Sequence, residues 1–180
     1  YGDRVRTVFN PFYDISDKLA SCWMASTEMD SDFIRLNGET LFELAVVKRL
    51  LESRRPITVT IDRKSEYDAD DMKVRCTGSH VLRIGKQLPK NVTDGEAIGM
   101  IQFRRSGPAT FRKGLARAVR RTESLGQWYL SVVDEIAQTG SVSFCSIEGL
   151  RWAEVDTPED LATAAELMDK VAIERVAPLD

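Results

Sequence analysis

Five consecutive residues, Ile57-Thr58-Val59-Thr60-Ile61, are β-branched without exception. Such side chains are stiff at χ1 and crowd a helix. A run of them with no polar face suits a strand covered on both sides. A sheet covered on both sides needs helices above and below, so this run points to a layered α/β domain. The rest of the chain alternates accordingly. Strands are expected at Arg6–Phe9, Phe33–Leu36, Met72–Thr77, His80–Ile84, Ala97–Phe103, Val142–Ile147 and Trp152–Val155. Helices are expected at Ser16–Thr27 with Ser16 as cap, Leu41–Ser53, Ala109–Arg121 and Gln127–Gln138. A last helix opens at Asp156 or Thr157 with Pro158 in its first turn. Residues 72–84 read as a hairpin about Thr77-Gly78-Ser79. Residues 85–96 form a long connection, and Ala177–Asp180 a fraying tail.

The 180 residues suffice for one domain, taken as 1–180. Hydrophobic content of 43% and charged content of 29% are those of an ordinary globular chain. A formal net charge of -3 disfavours nucleic acid as the main partner. The basic residues Arg112, Lys113, Arg117, Arg120 and Arg121 read as one solvated helix face. No apolar run is long enough to span a membrane. Cys22, Cys76 and Cys145 lack metal-ligand spacing and read as buried, reduced thiols, which suits a cytoplasmic setting. His80 reads as a surface turn residue.

Three acidic residues stand where strands give out: Glu39, Glu154 and Asp156. In open α/β sheets, ligands bind outside the carboxyl ends of strands, and converging carboxylates there can hold Mg²⁺ together with substrate phosphates. Each also has a plainer reading. Glu39 suits a first helical turn, Asp156 a helix cap, and Glu154 the solvent face of a strand.

Taken in order, the stretches FIRLNGETLF, DADDMKV, RIGKQLPKN…GEAIGMIQF and WAEVDTPEDLATA carry a resemblance. The chain resembles the sugar-phosphate-type nucleotidyltransferases, and among them it is most similar to the phosphocholine and 2-aminoethylphosphonate cytidylyltransferases. The resemblance runs from about Arg6 to about Leu167. It implies a Rossmann-like, three-layer mixed sheet of the type shared with GT-A glycosyltransferases. It also implies Mg²⁺-dependent transfer of a nucleotidyl group, CMP from CTP by likeness, to a small phosphate or phosphonate monoester, with release of pyrophosphate. The partners implied are a nucleoside triphosphate and a small phosphorylated acceptor. A homodimer is compatible with it.

Carried over residue by residue, the resemblance makes Glu39, Asp156 and Glu154 the metal ligands. Glu39 stands where the family has aspartate, and its extra methylene moves the carboxylate outward by ~1.5 Å. Lys86 would meet the acceptor phosphate and Lys73 takes a looser role in the same pocket. Asn37, Gly38 and Glu96 would line the substrate. Trp128 and Tyr129 would stack on a cationic head, or else pack into the core. Leu130 replaces an acidic residue at this point, and Asp134, one turn on, is the substitute. The family's Gly-rich triphosphate loop has no counterpart, so the chain is expected to be the C-terminal part of the fold, with poor nucleotide binding and little or no turnover by itself.

Three other readings remain: a hexose-1-phosphate nucleotidyltransferase using UTP, dTTP or GTP; a non-catalytic regulatory domain of the same fold; and a glycosyltransferase. The last would use a DxD pair, which Asp68–Asp71 offers, although that stretch reads as a solvated acidic turn.

Overall fold

The computed structural model describes residues 2–169. Its elements are α1 (Lys18–Met24), β1 (Phe33–Leu36), β2 (Thr40–Phe42), α2 (Leu44–Leu51), β3 (Ile57–Asp62), β4 (Lys73–Thr77), β5 (His80–Ile84), β6 (Gly95–Phe103), α3 (Gly107–Ala118), α4 (Leu130–Ala137), β7 (Val142–Ser146), β8 (Trp152–Glu154) and α5 (Pro158–Asp169). The main sheet has six strands in the order β1-β6-β3-β7-β5-β4, and β6 also pairs with β4. β3 and β7 run parallel, while the other pairs are antiparallel.

The β-branched run behaves as expected. Ile57, Val59 and Ile61 face one apolar core, together with Leu19, Phe111, Leu115, Val132 and Val133 from α1, α3 and α4. Thr58 and Thr60 are equally buried but point the other way. β6 alternates in the same manner. Ala97, Ile101 and Phe103 join the first core. Ile98 and Met100 join a second, formed with Val46 and Leu50 of α2 and with Ile147. Helices thus cover both faces of the sheet, giving the three-layer α/β arrangement.

Several boundaries differ from expectation. Arg6–Phe9 is irregular rather than a strand; Val5, Val8 and Phe9 are exposed, with no neighbouring strand for their backbone to join. Asp17, not Ser16, caps α1 by accepting from the Lys18 amide at 2.6 Å, and the helix passes into a 3₁₀ turn at Ala25–Glu28. The expected helix from Leu41 starts only at Leu44, because Thr40–Phe42 pairs with Trp152–Glu154 as a separate antiparallel ribbon. Trp128 and Tyr129 precede α4 instead of lying within it. α5 is capped by Thr157, whose hydroxyl accepts from the Asp160 amide while the Asp160 carboxylate accepts from the Thr157 amide. The expected tail at 177–180 lies outside the described residues.

All three cysteines are free, but only Cys22 is buried; Cys76 and Cys145 are half-buried. His80 is likewise half-buried and opens β5 opposite Ser143. Among the described residues no helix is long and apolar enough to cross a membrane.

Candidate functional site

β1 and β3 both run antiparallel to β6, so they point the same way. β1 pairs with β6 in antiparallel fashion and so ends at the same edge of the sheet as β3 and β7. A cavity of about 320 Å³ opens at that edge. Its lining includes Asn37, Glu39, Lys86, Glu96, Trp128, Tyr129, Glu154 and Asp156 from the expected set.

The acidic side is assembled by the small ribbon. Register places Thr40 opposite Glu154, so Glu39, one residue before β2, and Asp156, two residues after β8, lie at one end of the pair. Burial, with the nearby charges of Asp156 and Glu39, pushes the Glu154 carboxyl up. Burial also acts upward on Glu39, but the hydrogen bond and charge of Lys18 outweigh it and hold Glu39 below the usual glutamate range. Lys18 was not singled out in the sequence; it sits on α1, far from Glu39 in the chain, and pairs with it directly.

The basic side centres on Trp128. The Lys86 ammonium lies 3.9 Å from the centroid of its ring, and Lys18 lies 5.9 Å from it. Lys86 also donates to Asp70 at 2.7 Å. The stretch read as a solvated turn is thus partly built into the wall. Asp70 keeps its carboxylate in solvent, but Asp71 is buried and accepts from the Asp68 amide at 2.7 Å. Lys64 bridges Asp71 at 3.1 Å and Glu96 at 2.6 Å. Burial is the main reason that Glu96 is raised to about 7, against the opposing pull of Lys64. Burial also opposes ionisation of Asp71, but the Asp68 amide and Lys64 hold its carboxyl low. Lys86 and Glu96 were expected in this wall, whereas Asp70 and Asp71 were visible only within the acidic stretch DADDMKV.

The remaining expected residues lie elsewhere. Lys73 is buried and donates to the carbonyls of Lys86 (2.9 Å), Asp71 (3.4 Å) and Ala69 (3.5 Å), so it braces the wall from behind. Gly38 is exposed and outside the cavity lining. Tyr129 belongs to the lining but is almost wholly buried, with the Arg35 guanidinium 3.6 Å from its ring centroid. Asp134 accepts from Arg83 Nε at 3.0 Å and from the Ile84 amide at 2.6 Å. It fastens α4 to β5 and is not part of the lining, so it does not substitute for the acid replaced by Leu130.

Asn37 is held by two contacts. Its amide donates to the Gly99 carbonyl at 3.0 Å, and its side-chain oxygen accepts from Arg35. Gly99 adopts φ +73°, and a Cβ there would fall 2.4 Å from Asn37 Nδ2. The glycine is therefore needed both for its backbone conformation and for the space Asn37 fills.

Among the described residues no group of three or more His, Cys, Asp or Glu side chains forms a ready-made metal cluster. The donor chemistry nevertheless fits Mg²⁺. Glu39, Glu154 and Asp156 offer hard oxygens to one cavity; Glu154 is raised first by burial and then by the charges of Asp156 and Glu39, and a divalent cation would relieve that second part.

No protein-family profile matches the chain. A protein from Rubrobacter xylanophilus described as a bifunctional IPC transferase and DIPP synthase is 28% identical over 166 residues, 91% of this chain and 36% of that protein. The chain thus spans about a third of that relative's length. Among solved structures, the inositol-1-phosphate CTP transferase from T. maritima superimposes with a TM-score of 0.72 at 20% identity, over 94% of this chain and 67% of the other. The CTP:phosphocholine cytidylyltransferase from Streptococcus pneumoniae gives 0.72 at 15% identity, over 92% and 69%. The chain thus shares the α/β fold of these two solved structures.

Proposed function

We propose that the protein is a nucleotidyltransferase that joins a nucleoside triphosphate, CTP by likeness to its relatives, to a small phosphomonoester with loss of pyrophosphate. The observation that carries this reading is one cavity that brings the carboxylates Glu39, Glu154 and Asp156 together with the Lys86 ammonium. In such a transfer the acceptor phosphate oxygen attacks the α-phosphorus, and charge builds on the phosphoryl oxygens. Positioning and fixed charge are then the main sources of rate. Lys86 meets the acceptor phosphate, while Asn37 is fixed by Gly99 and Arg35 to present its side chain to the substrate. Glu39, Glu154 and Asp156 would hold Mg²⁺, which neutralises phosphate charge when bound.

The acceptor is better read as a polyhydroxylated, sugar-phosphate-like monoester than as phosphocholine. The Trp128 face that would receive a choline head already carries the Lys86 ammonium at 3.9 Å, and like charges repel. Asp134, the acid that would have compensated, is bound to Arg83 and Ile84. Asp71 and Glu96 offer oxygens suited to hydroxyl groups on the same cavity wall.

Pyrophosphate release by the full-length protein tests both statements, with CTP, UTP, dTTP and GTP set against inositol-1-phosphate, glucose-1-phosphate, phosphocholine and 2-aminoethylphosphonate. Release with CTP and a polyol or sugar phosphate is expected. Release only with phosphocholine would overturn the acceptor assignment. Failure with every pair, alongside intact folding, would favour a regulatory domain of the same fold.

A further inference from the structure

The acidic side of the cavity already holds a cation, and that cation belongs to the chain. Lys18, the first residue of α1, places its ammonium 2.5 Å from a Glu39 oxygen. The Glu39 side chain is largely shielded, whereas that of Lys18 is 43% exposed. The carboxylate is thus fixed by the fold, and the lysine reaches it on a flexible four-carbon stem with open solvent beside it. The same ammonium lies 5.9 Å from the Trp128 ring, whose face carries Lys86. One lysine therefore stands between the metal-binding carboxylates and the phosphate-binding side.

Resting on the metal-dependent reading above, we propose that Lys18 is a positioning residue that exchanges partners. Its ammonium neutralises Glu39 until a divalent cation takes that carboxylate, and the released ammonium then serves phosphate oxygens beside Lys86. The physical ground is competition. An ammonium and a divalent cation at one carboxylate repel each other at short range, so binding of the metal displaces the lysine. The displaced charge stays within the cavity because its stem is anchored at the start of α1. Metal and phosphate are then positively linked, each favouring the arrangement that the other requires.

Mn²⁺ binding to the purified protein, followed by electron paramagnetic resonance, tests the exchange without relying on activity. Lys18→Met is expected to tighten Mn²⁺ binding by about fivefold, the scale of a partly shielded ion pair. Lys18→Arg, which keeps the charge, should stay near the parent, and Lys18→Gln provides a second neutral variant should the methionine disturb folding. In a Glu39→Gln background the gain should fall below about twofold. Inorganic phosphate should bind more tightly with Mn²⁺ present in the parent, and this coupling should be weaker in Lys18→Met, which keeps only the direct attraction between metal and phosphate. Equal Mn²⁺ affinity in parent and neutral variants would overturn the exchange and leave the metal site standing. An equal gain in both Glu39 backgrounds would reduce Lys18 to a bulk charge and also overturn it. Absence of Mn²⁺ binding in every variant would overturn the metal reading and the exchange together.

Discussion

The backbone amide of Val155 donates to the carbonyl of Glu39 across 3.0 Å. Two chain turns more than a hundred residues apart are thereby fastened main chain to main chain, and the acidic side chains beside them inherit a fixed spacing. The consequence is a site whose Glu39, Glu154 and Asp156 carboxylates depend on the β2–β8 ribbon more than on the main sheet.

Removing one of those groups should therefore reduce activity without loosening the fold. Glu39→Ala and Asp156→Ala are each expected to lower pyrophosphate release by ~10–100-fold at least, the scale on which even the supporting groups of metal sites act. Their thermal midpoints should stay close to the parent. Glu39→Asp should retain far more activity than Glu39→Ala. A large fall in melting temperature for the alanine variants would show instead that Glu39 and Asp156 are structural.

Glu96 makes stability depend on pH in a definite direction. Its carboxyl is raised from the ordinary value of 4.5 to about 7, so the folded state holds this proton more tightly than the unfolded state does. The stabilisation is complete below about 4.5 and is lost as pH rises through about 7. Glu96→Gln should flatten the melting temperature across that window relative to the parent. Asp71 and Glu39 are held low and contribute the opposite trend, losing stability only at more acidic pH. A parent and variant with parallel melting profiles between pH 4.5 and 7 would contradict this account.

Gly99→Ala forces a Cβ into Asn37 at a residue with positive φ. A destabilisation of about 1–3 kcal/mol is expected, measurable by urea unfolding. Because Asn37 must move, acceptor or nucleotide affinity should fall as well.

Asp134→Ala separates structure from substrate contact. It leaves the Ile84 amide without its 2.6 Å acceptor and frees Arg83. Loss of a buried partner costs about 1–3 kcal/mol. Since Asp134 lies outside the cavity lining, KM for any acceptor should be unchanged; a selective rise in acceptor KM would return this residue to the site.

The sequence reading succeeded where local pattern and burial agree. The runs 33–36, 57–61 and 80–84 were legible as strands because bulky or β-branched residues are consecutive there, and the hairpin because Gly78 marks its turn. It failed at Thr40–Phe42. Three residues carry too little periodicity to be told from a helix start, and their strand character comes from pairing with Trp152–Glu154, which local pattern does not encode. The converging acids were legible as types at strand ends. Lys18 was not, because an ion pair spanning the distance from α1 to the β1–β2 turn has no local signature. Asp134 misled for a related reason. Its one-turn spacing from Leu130 holds, since both lie in α4, but its carboxylate is taken by Arg83 and the Ile84 amide, a long-range pairing that helical spacing does not encode.

β6 has nine residues, every one of them buried, and is held by β1, β3 and β4 at once. All three of those neighbours lie earlier in the chain. During synthesis from the amino terminus, β6 leaves the ribosome after each of its partners has been made. The most deeply covered strand of the sheet can thus be enclosed as soon as it emerges, and its long apolar surface need not wait in water for a partner still to be translated.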